Sequence, residues 1–212
     1  EPLTRGRHGE EPQDEEAGRP EQERARVHAL LLAASLADER LLHAKAPVNA
    51  QGRFYGYVVT PLDMLAQTGG NMALARLLLA RGAAISTFGF LEALCHRGRS
   101  RADGFALAEL FLQHGFDIHS PHEDGTILHR CANTGSVAVA EWLIERGSDV
   151  SRRGRMGRTP LHLAAERNRT PAMVEFLVNQ GAPRDARDEM GLTPLDVARQ
   201  HGRTRLFKAL TP

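Results

Sequence analysis

The sequence predicts an all-α repeat solenoid, because one helix–turn–helix pattern recurs along most of its 212 residues. The pattern is most complete in residues 157–182, GRTPLHLAAERNRTPAMVEFLVNQGA. Its Thr-Pro-Leu start recurs with small changes, and the glycine that ends each unit recurs at intervals of 33, 32 and 34 residues. Aromatic residues make up only 5% of the chain, which suits a core of Leu, Ala and Val packed between neighbouring repeats.

Residues 157–182 contain the start and stop signals of two helices. Thr159 can cap a helix N-terminus through its hydroxyl, and Pro160 suits the first helical position, where no N–H is needed. Pro171 restarts the apolar pattern after a polar interruption. Gly181 ends the second helix, because glycine adopts a positive φ at little cost.

The other units begin and end in the same way. Their starts are TPLD from Thr60, TILH from Thr126 and TPLD from Thr193, and their closing glycines are Gly82, Gly115 and Gly147. This period and the T-P-L-H start resemble the ankyrin repeats over residues 21–212. The resemblance implies helix pairs joined by β-hairpin fingers, and a protein that binds partners on the concave face made by the fingers and the first helices. It also implies that the imidazoles of His129 and His162 bond local backbone.

The chain is predicted to consist of a charged tail and one repeat domain. Residues 1–20 are acidic and almost without apolar side chains, so we expect them to be disordered. The single ankyrin-repeat domain, residues 21–212, is divided into a polar N-terminal cap (21–50), four repeats (51–84, 85–117, 118–150 and 151–183) and a C-terminal cap (184–212). The chain begins at Glu1 without a methionine, which we interpret as loss of an upstream segment.

The repeat at 85–117 departs from the pattern. Only 7 residues separate Gly82 from Gly89, so its finger is shortened, and Ser86 or Thr87 must replace the lost threonine cap. Gly98 and Gly115 are 17 residues apart, whereas the corresponding glycines of the regular repeat, Gly135 and Gly147, are 12 apart. About five extra residues therefore lie between the two helices. We therefore expect a basic bulge at residues 99–103, on the edge opposite the fingers.

The sequence carries no motif of a nucleophilic, phosphate-binding, dinucleotide-binding or zinc-protease site. Residues 119–124 include two histidines and two carboxylates, but the histidines have helical spacing within an expected hairpin. Cys95 and Cys131 fall on successive first helices, about 8–10 Å apart, which is too far for a disulfide. Trp142 takes a leucine position and is assigned to the core. We predict a non-enzyme without metal or cofactor.

Two fingers and the surface between them are the predicted binding site. The aromatic finger, which could supply large contact area, comprises Arg53, Phe54, Tyr55 and Tyr57. The arginine finger, which suits carboxylates, is residues 151–158 and contributes Arg152, Arg153, Arg155, Met156 and Arg158. The first helices are expected to complete the groove with Gln67, Arg130, Asn133, Glu166 and Arg167. The alternative is that the arginines only solubilise a loop and the aromatic rings enter the core.

The expected partner is another protein with an acidic patch, bound by a chain that is monomeric alone. Nucleic acid ranks lower, because aspartates interleave with the arginines and the net charge is only +1. No apolar run has the roughly 18 residues of a membrane span. Two roles remain open, an inhibitor of immunity type and an adaptor or secreted effector that recruits a host protein. We expect a cytoplasmic and, from its arginine bias, bacterial protein, with a periplasmic or secreted location as the alternative.

Overall fold

The computed structural model describes residues 48–54, 57–67, 71–95, 101–122, 124–168 and 170–211. The predicted tail and all of the predicted N-terminal cap except residues 48–50 lie outside these ranges. The chain divides into two compact units, 1–84 and 85–212. The division falls between residues 84 and 85, and the predicted single domain over 21–212 stays a prediction.

The first unit contains a finger and a helix pair. Strand β1 (Gly52–Phe54) pairs antiparallel with β2 (Tyr57–Val59), and helices α1 (Pro61–Gln67) and α2 (Met72–Ala80) follow. The amide of Thr60 donates to the Asp63 carboxylate at 2.8 Å, which caps α1. These elements lie within the predicted repeat at 51–84, whose bounds stay a prediction.

The second unit contains four helix pairs and one further strand pair among its described residues. The helices are α3 (Thr87–Cys95), α4 (Arg101–Gln113), α5 (Ile127–Thr134), α6 (Val137–Glu145), α7 (Pro160–Arg167), α8 (Ala172–Asn179), α9 (Pro194–Gln200) and α10 (Phe207–Leu210). Strands β3 (Pro121–His122) and β4 (Gly125–Thr126) form the hairpin, and 3₁₀ turns lie at Arg155–Gly157 and Thr204–Leu206. In chain order the pairs are α3 with α4, α5 with α6, and α7 with α8. The last pair consists of α9 and α10, with the final 3₁₀ turn between them.

The four helix pairs of this unit stack in two layers. The first helices α5, α7 and α9 pack side by side in that order, and the second helices α6, α8 and α10 form the other layer. The core between the layers is aliphatic and includes Leu128, Leu143, Leu161, Leu177 and Val197, all fully buried. Burial of this apolar face, rather than the propensity of such short helices, stabilises the stack.

The irregular repeat at 85–117 confirms one expectation and corrects another. Ser86 is the substitute cap, since its Oγ accepts from the Gly89 amide at 2.9 Å. The predicted basic bulge at 99–103 is wrong for its last three residues, which form the first turn of the 13-residue helix α4. The inserted residues lengthen that helix, and Asp103 in its first turn is favourably placed relative to the helix dipole. Residues 99 and 100 lie outside the described ranges.

The histidines of the start motif connect successive repeats. Thr126 N donates to His129 Nδ1 and Thr159 N to His162 Nδ1, both at 3.1 Å, as the resemblance implied. On the other side of each ring, Nε2 lies 3.1 Å from the carbonyl oxygen of Arg158 for His129 and 3.0 Å from that of Leu192 for His162. Each imidazole therefore caps its own helix and contacts the residue that precedes the threonine cap of the next first helix.

Trp142 lies in the core, as predicted, and is 6% exposed. Its ring stacks on Phe105 with 5.5 Å between centroids, and the Arg146 guanidinium lies 4.0 Å from the ring centroid. Arg146 also pairs with Glu109 at 2.9 Å. Cys131 is buried on α5, and the side chain of Cys95 lies outside the described set, so the predicted absence of a disulfide stays a prediction.

Candidate functional site

The arginine finger, residues 151–158, runs from the turn after α6 to the start of α7. Its base is an aspartate turn, in which Asp149 Oδ1 accepts from Ser151 N at 2.8 Å and from Ser151 Oγ at 2.6 Å. The bond from the Ser151 side chain, followed by that from its backbone, lowers the pKa of the Asp149 carboxyl. Asp149 is therefore ionised at neutral pH, and the turn that begins the finger is fixed.

The finger is attached to the preceding one through its backbone. Arg155 N donates to Asp124 O at 3.1 Å, and Gly154 N closes the finger on Arg158 O at 2.7 Å. Gly154 lies so close to its neighbours that a Cβ there would collide with Asp124 O and would lie 2.8 Å from His129 Nε2. Only glycine allows this approach, because a Cβ would displace backbone atoms.

The finger is also attached to the following one, residues 184–192. Glu189 N donates to Met156 O at 3.0 Å. Arg153 Nη1 donates to Gly157 O at 2.9 Å, within its own finger, and to Arg187 O at 2.6 Å, across the gap. The backbone of the arginine finger is therefore held from both sides before any partner is bound.

Arg158 and Glu166, both predicted to contact a partner, form an internal ion pair. Arg158 Nη1 lies 2.7 Å from Glu166 Oε2, and its Nε lies 3.5 Å from Asp188 Oδ2. The side chains of Arg158, Glu166 and Asp188 are 20%, 15% and 0% exposed. One guanidinium thus faces two carboxylates, so Arg158 has a structural role in addition to any role in binding.

Arg152 and Arg155 are different, because both are exposed. Within the part of the chain that the structure describes, neither side chain forms a hydrogen bond or an ion pair. Met156, next to Arg155, is 41% exposed and has a φ of 57°. It is the one non-glycine residue with a positive φ among the described residues. The finger therefore presents to solvent one apolar side chain and two cations that have no such bonds.

Met190 is a surface residue that the sequence reasoning missed. It is 64% exposed on the following finger, and it precedes Gly191 as Met156 precedes Gly157. Arg187 Nη1 donates to Gly191 O at 2.7 Å, which repeats the bond from Arg153 to Gly157. The signal was present in the sequence, since Arg-x-x-Met-Gly occurs twice, 34 residues apart, as RGRMG and RDEMG.

The remaining predicted site residues lie in two places. Arg130 is exposed on α5, Asn133 is half-buried on the same helix, and the Arg167 side chain on α7 is 62% exposed. These three share the second unit with the arginine finger. Gln67 is at the end of α1 in the first unit, together with the aromatic finger. Of the aromatic finger, the side chains of Arg53, Phe54 and Tyr57 and all of Tyr55 lie outside the described set, so its role stays a prediction.

A cavity of ≈ 280 Å³ opens beside the arginine finger. Its lining mixes one apolar side chain with polar and charged ones: Ile118, His119, Thr126, Ser148, Asp149 and Arg152. No group of three or more His, Cys, Asp or Glu side chains is placed for a metal ion among the residues that were described. Within the same ranges, no helix combines the length and apolar character of a membrane span.

Comparisons with known proteins agree with this geometry. Residues 128–212 match a family model of ankyrin repeats in three copies. A search of curated protein sequences finds no significant match. An ankyrin repeat domain from Acinetobacter baumannii has 25% identity and a TM-score of 0.64, over 86% of this chain and 96% of that one. A chain from the complex of a predatory endopeptidase from Bdellovibrio bacteriovorus with an immunity protein has 24% identity, a TM-score of 0.64 and the same two coverages. Residues 128–212 therefore consist of ankyrin repeats, and the chain has the ankyrin-repeat fold, as the repeat period, the capping histidines and the stacked helix pairs also indicate.

Proposed function

We propose that the chain is a non-catalytic binding scaffold that inhibits or neutralises one specific partner protein. The observation that carries this proposal is the arginine finger, whose backbone is bonded to both neighbouring fingers while Arg152, Arg155 and Met156 remain exposed. A loop that is already ordered loses little conformational entropy when a partner binds.

The exposed side chains indicate the chemistry of the partner. Guanidinium groups recognise carboxylates with paired hydrogen bonds, and the neighbouring thioether adds an apolar contact. The partner is therefore expected to carry an acidic patch around an apolar depression. Arg130 and Arg167, exposed on the first helices, extend the basic surface of this unit.

The inhibitory role is supported by a similarity of fold and by the rigidity of the surface. One similar chain comes from a complex of an endopeptidase with an immunity protein. A rigid finger with a charged and apolar tip can cover a cleft without being remodelled by it. An adaptor or effector would use the same surface, and the two roles differ in whether the bound partner keeps its activity.

The experiment starts with affinity capture of the partner from a lysate of the source organism, followed by kinetics with the purified pair. In the test variant, Arg152→Glu is combined with Arg155→Glu. In the control, Arg76→Glu is combined with Arg205→Glu, which changes the net charge equally at two exposed arginines outside the finger. We expect the test variant to associate about tenfold more slowly and with a weaker dependence on salt, because charges near an interface set the association rate.

Equal association rates for the test and control variants would remove the arginine finger from the binding site. An assay of the partner's own activity then separates the two roles. Loss of activity in the complex supports the inhibitor, whereas full activity in the complex replaces it with the adaptor.

A further inference from the structure

We propose that Met156 and Met190 are a paired oxidation site, and that their conversion to sulfoxides by a peroxide weakens partner binding while the fold is unchanged. The oxidation depends only on the exposure of the two residues, and its effect on binding rests on the proposed function. Met156 and Met190 are 41% and 64% exposed, whereas Met64 and Met173 are 2% and 1% exposed. The chain thus contains a matched exposed pair and buried pair.

The two exposed methionines lie on neighbouring finger tips that are joined by a backbone bond. Glu189 N donates to Met156 O at 3.0 Å, and Glu189 directly precedes Met190. Met190 N in turn donates to Asp188 Oδ1 at 2.9 Å, and the Asp188 side chain is fully buried. Because these bonds fix the backbone at both residues, the side chains stay at the surface instead of folding into the core.

The fold does not depend on either thioether. The bonds that hold the fingers involve the backbone atoms of Met156 and Met190 and the guanidinium groups of Arg153 and Arg187. Oxidation adds one oxygen atom to a side chain of an exposed residue. The backbone bonds and the internal ion pair of Arg158 therefore remain in the oxidised protein.

The reaction with hydrogen peroxide is balanced without a cofactor. The sulfur lone pair attacks one peroxide oxygen, the O–O bond breaks, and an S–O bond forms. The second oxygen leaves as water after proton transfer, so sulfur loses the two electrons that the peroxide gains. The product sulfoxide is polar and chiral, and reductases restore the thioether with electrons from thiols.

The consequence for binding follows from the position of the two side chains. Met156 adjoins Arg155 in sequence, and Arg152 lies in the same finger, so the thioethers form the apolar part of a basic surface. Polar oxygens on both tips oppose transfer of this part into an apolar depression. Since the arginines keep their charge, oxidation is expected to raise the dissociation rate and to leave the association rate nearly unchanged.

The first test uses the purified chain and hydrogen peroxide, with peptide mass spectrometry at successive times. We expect Met156 and Met190 to be oxidised at least about tenfold faster than Met64 and Met173, while the circular dichroism spectrum stays constant. The chain unfolded in urea is the control, in which all of these methionines should react at similar rates. Similar rates in the folded chain, or loss of structure on oxidation of the exposed pair, would overturn the proposal.

The second test measures binding of the purified partner before and after peroxide treatment of this chain alone. We expect about tenfold weaker binding after oxidation, recovery with a methionine sulfoxide reductase, and resistance in a variant that combines Met156→Leu with Met190→Leu. If oxidation of both residues leaves the affinity unchanged while Arg152→Glu with Arg155→Glu weakens it, the oxidation proposal fails and the proposed function stands. If neither treatment changes the affinity, both fail.

Discussion

Protonation of His129 and His162 should destabilise the second unit at mildly acidic pH. Both rings are fully buried, and burial is the largest cause that lowers their pKa from the ordinary value of 6.5; hydrogen bonds to backbone carbonyls oppose it in part. Nδ1 of each ring accepts a threonine N–H, and Nε2 faces a carbonyl oxygen of the next repeat. This pattern requires the neutral ring with its proton on Nε2, since a second proton on Nδ1 would confront the threonine donor.

The sign of the effect follows from proton linkage. Between the lowered folded pKa and 6.5, the unfolded chain binds more protons than the folded one, so the free energy of unfolding falls as the pH falls. The stabilisation is complete above pH 6.5 and is lost below it, until the folded pKa is reached. At pH 5.5 the limit is about 1.4 kcal/mol for each histidine, or about 2.8 kcal/mol for both. In a domain of this size, that corresponds to a melting temperature lower by about 6–11 °C.

Thermal melting at pH 7.5 and pH 5.5 measures this loss directly. The control combines His129→Gln with His162→Gln, because a glutamine amide offers an acceptor to the threonine N–H and a donor to the carbonyl, but does not titrate. The native chain should lose several degrees more than the control between the two pH values. If both proteins lose the same number of degrees, these two imidazoles are not the source of the acid sensitivity.

The contacts of the arginine finger lead to two further predictions, both tested by urea unfolding. Gly154→Ala should lower the free energy of unfolding more than Gly147→Ala. Gly147 has a φ of 92° but open space around its Cβ position, so only backbone strain of about 1–2 kcal/mol is expected there. A Cβ at Gly154 would in addition meet Asp124 O, and equal losses in the two variants would contradict this close approach. Arg158→Met should cost about 3 kcal/mol by leaving the carboxylates of Glu166 and Asp188 without their cation, against less than about 0.5 kcal/mol for the exposed Arg152→Met. Similar effects of these two substitutions would contradict a structural role for Arg158.

The fold could be predicted from the sequence because its signals are local. Thr159 and Pro160 determine where α7 begins, and the capping contact of Thr159 reaches only three residues, to His162. The predicted bulge was wrong at residues 101–103, since counting residues locates an insertion but does not say that it will lengthen a helix. The structural role of Arg158 could not be predicted from the sequence either. Arg158 and Arg152 look alike in a charged loop, and only the contacts of Arg158 with Glu166 and Asp188 distinguish them.

Within the arginine finger, the structural contacts and the proposed partner contacts belong to different side chains. Arg153 and Arg158 are bonded within the protein, whereas Arg152 and Arg155 are exposed without such bonds among the described residues. A variant with all four arginines reversed in charge would therefore lose binding for two reasons at once, loss of contact and loss of finger geometry. Reversal of Arg152 and Arg155 alone changes the exposed charge and leaves both structural arginines in place. For the same reason, a loss of affinity in Arg158 variants is evidence about binding only if their melting temperature is unchanged.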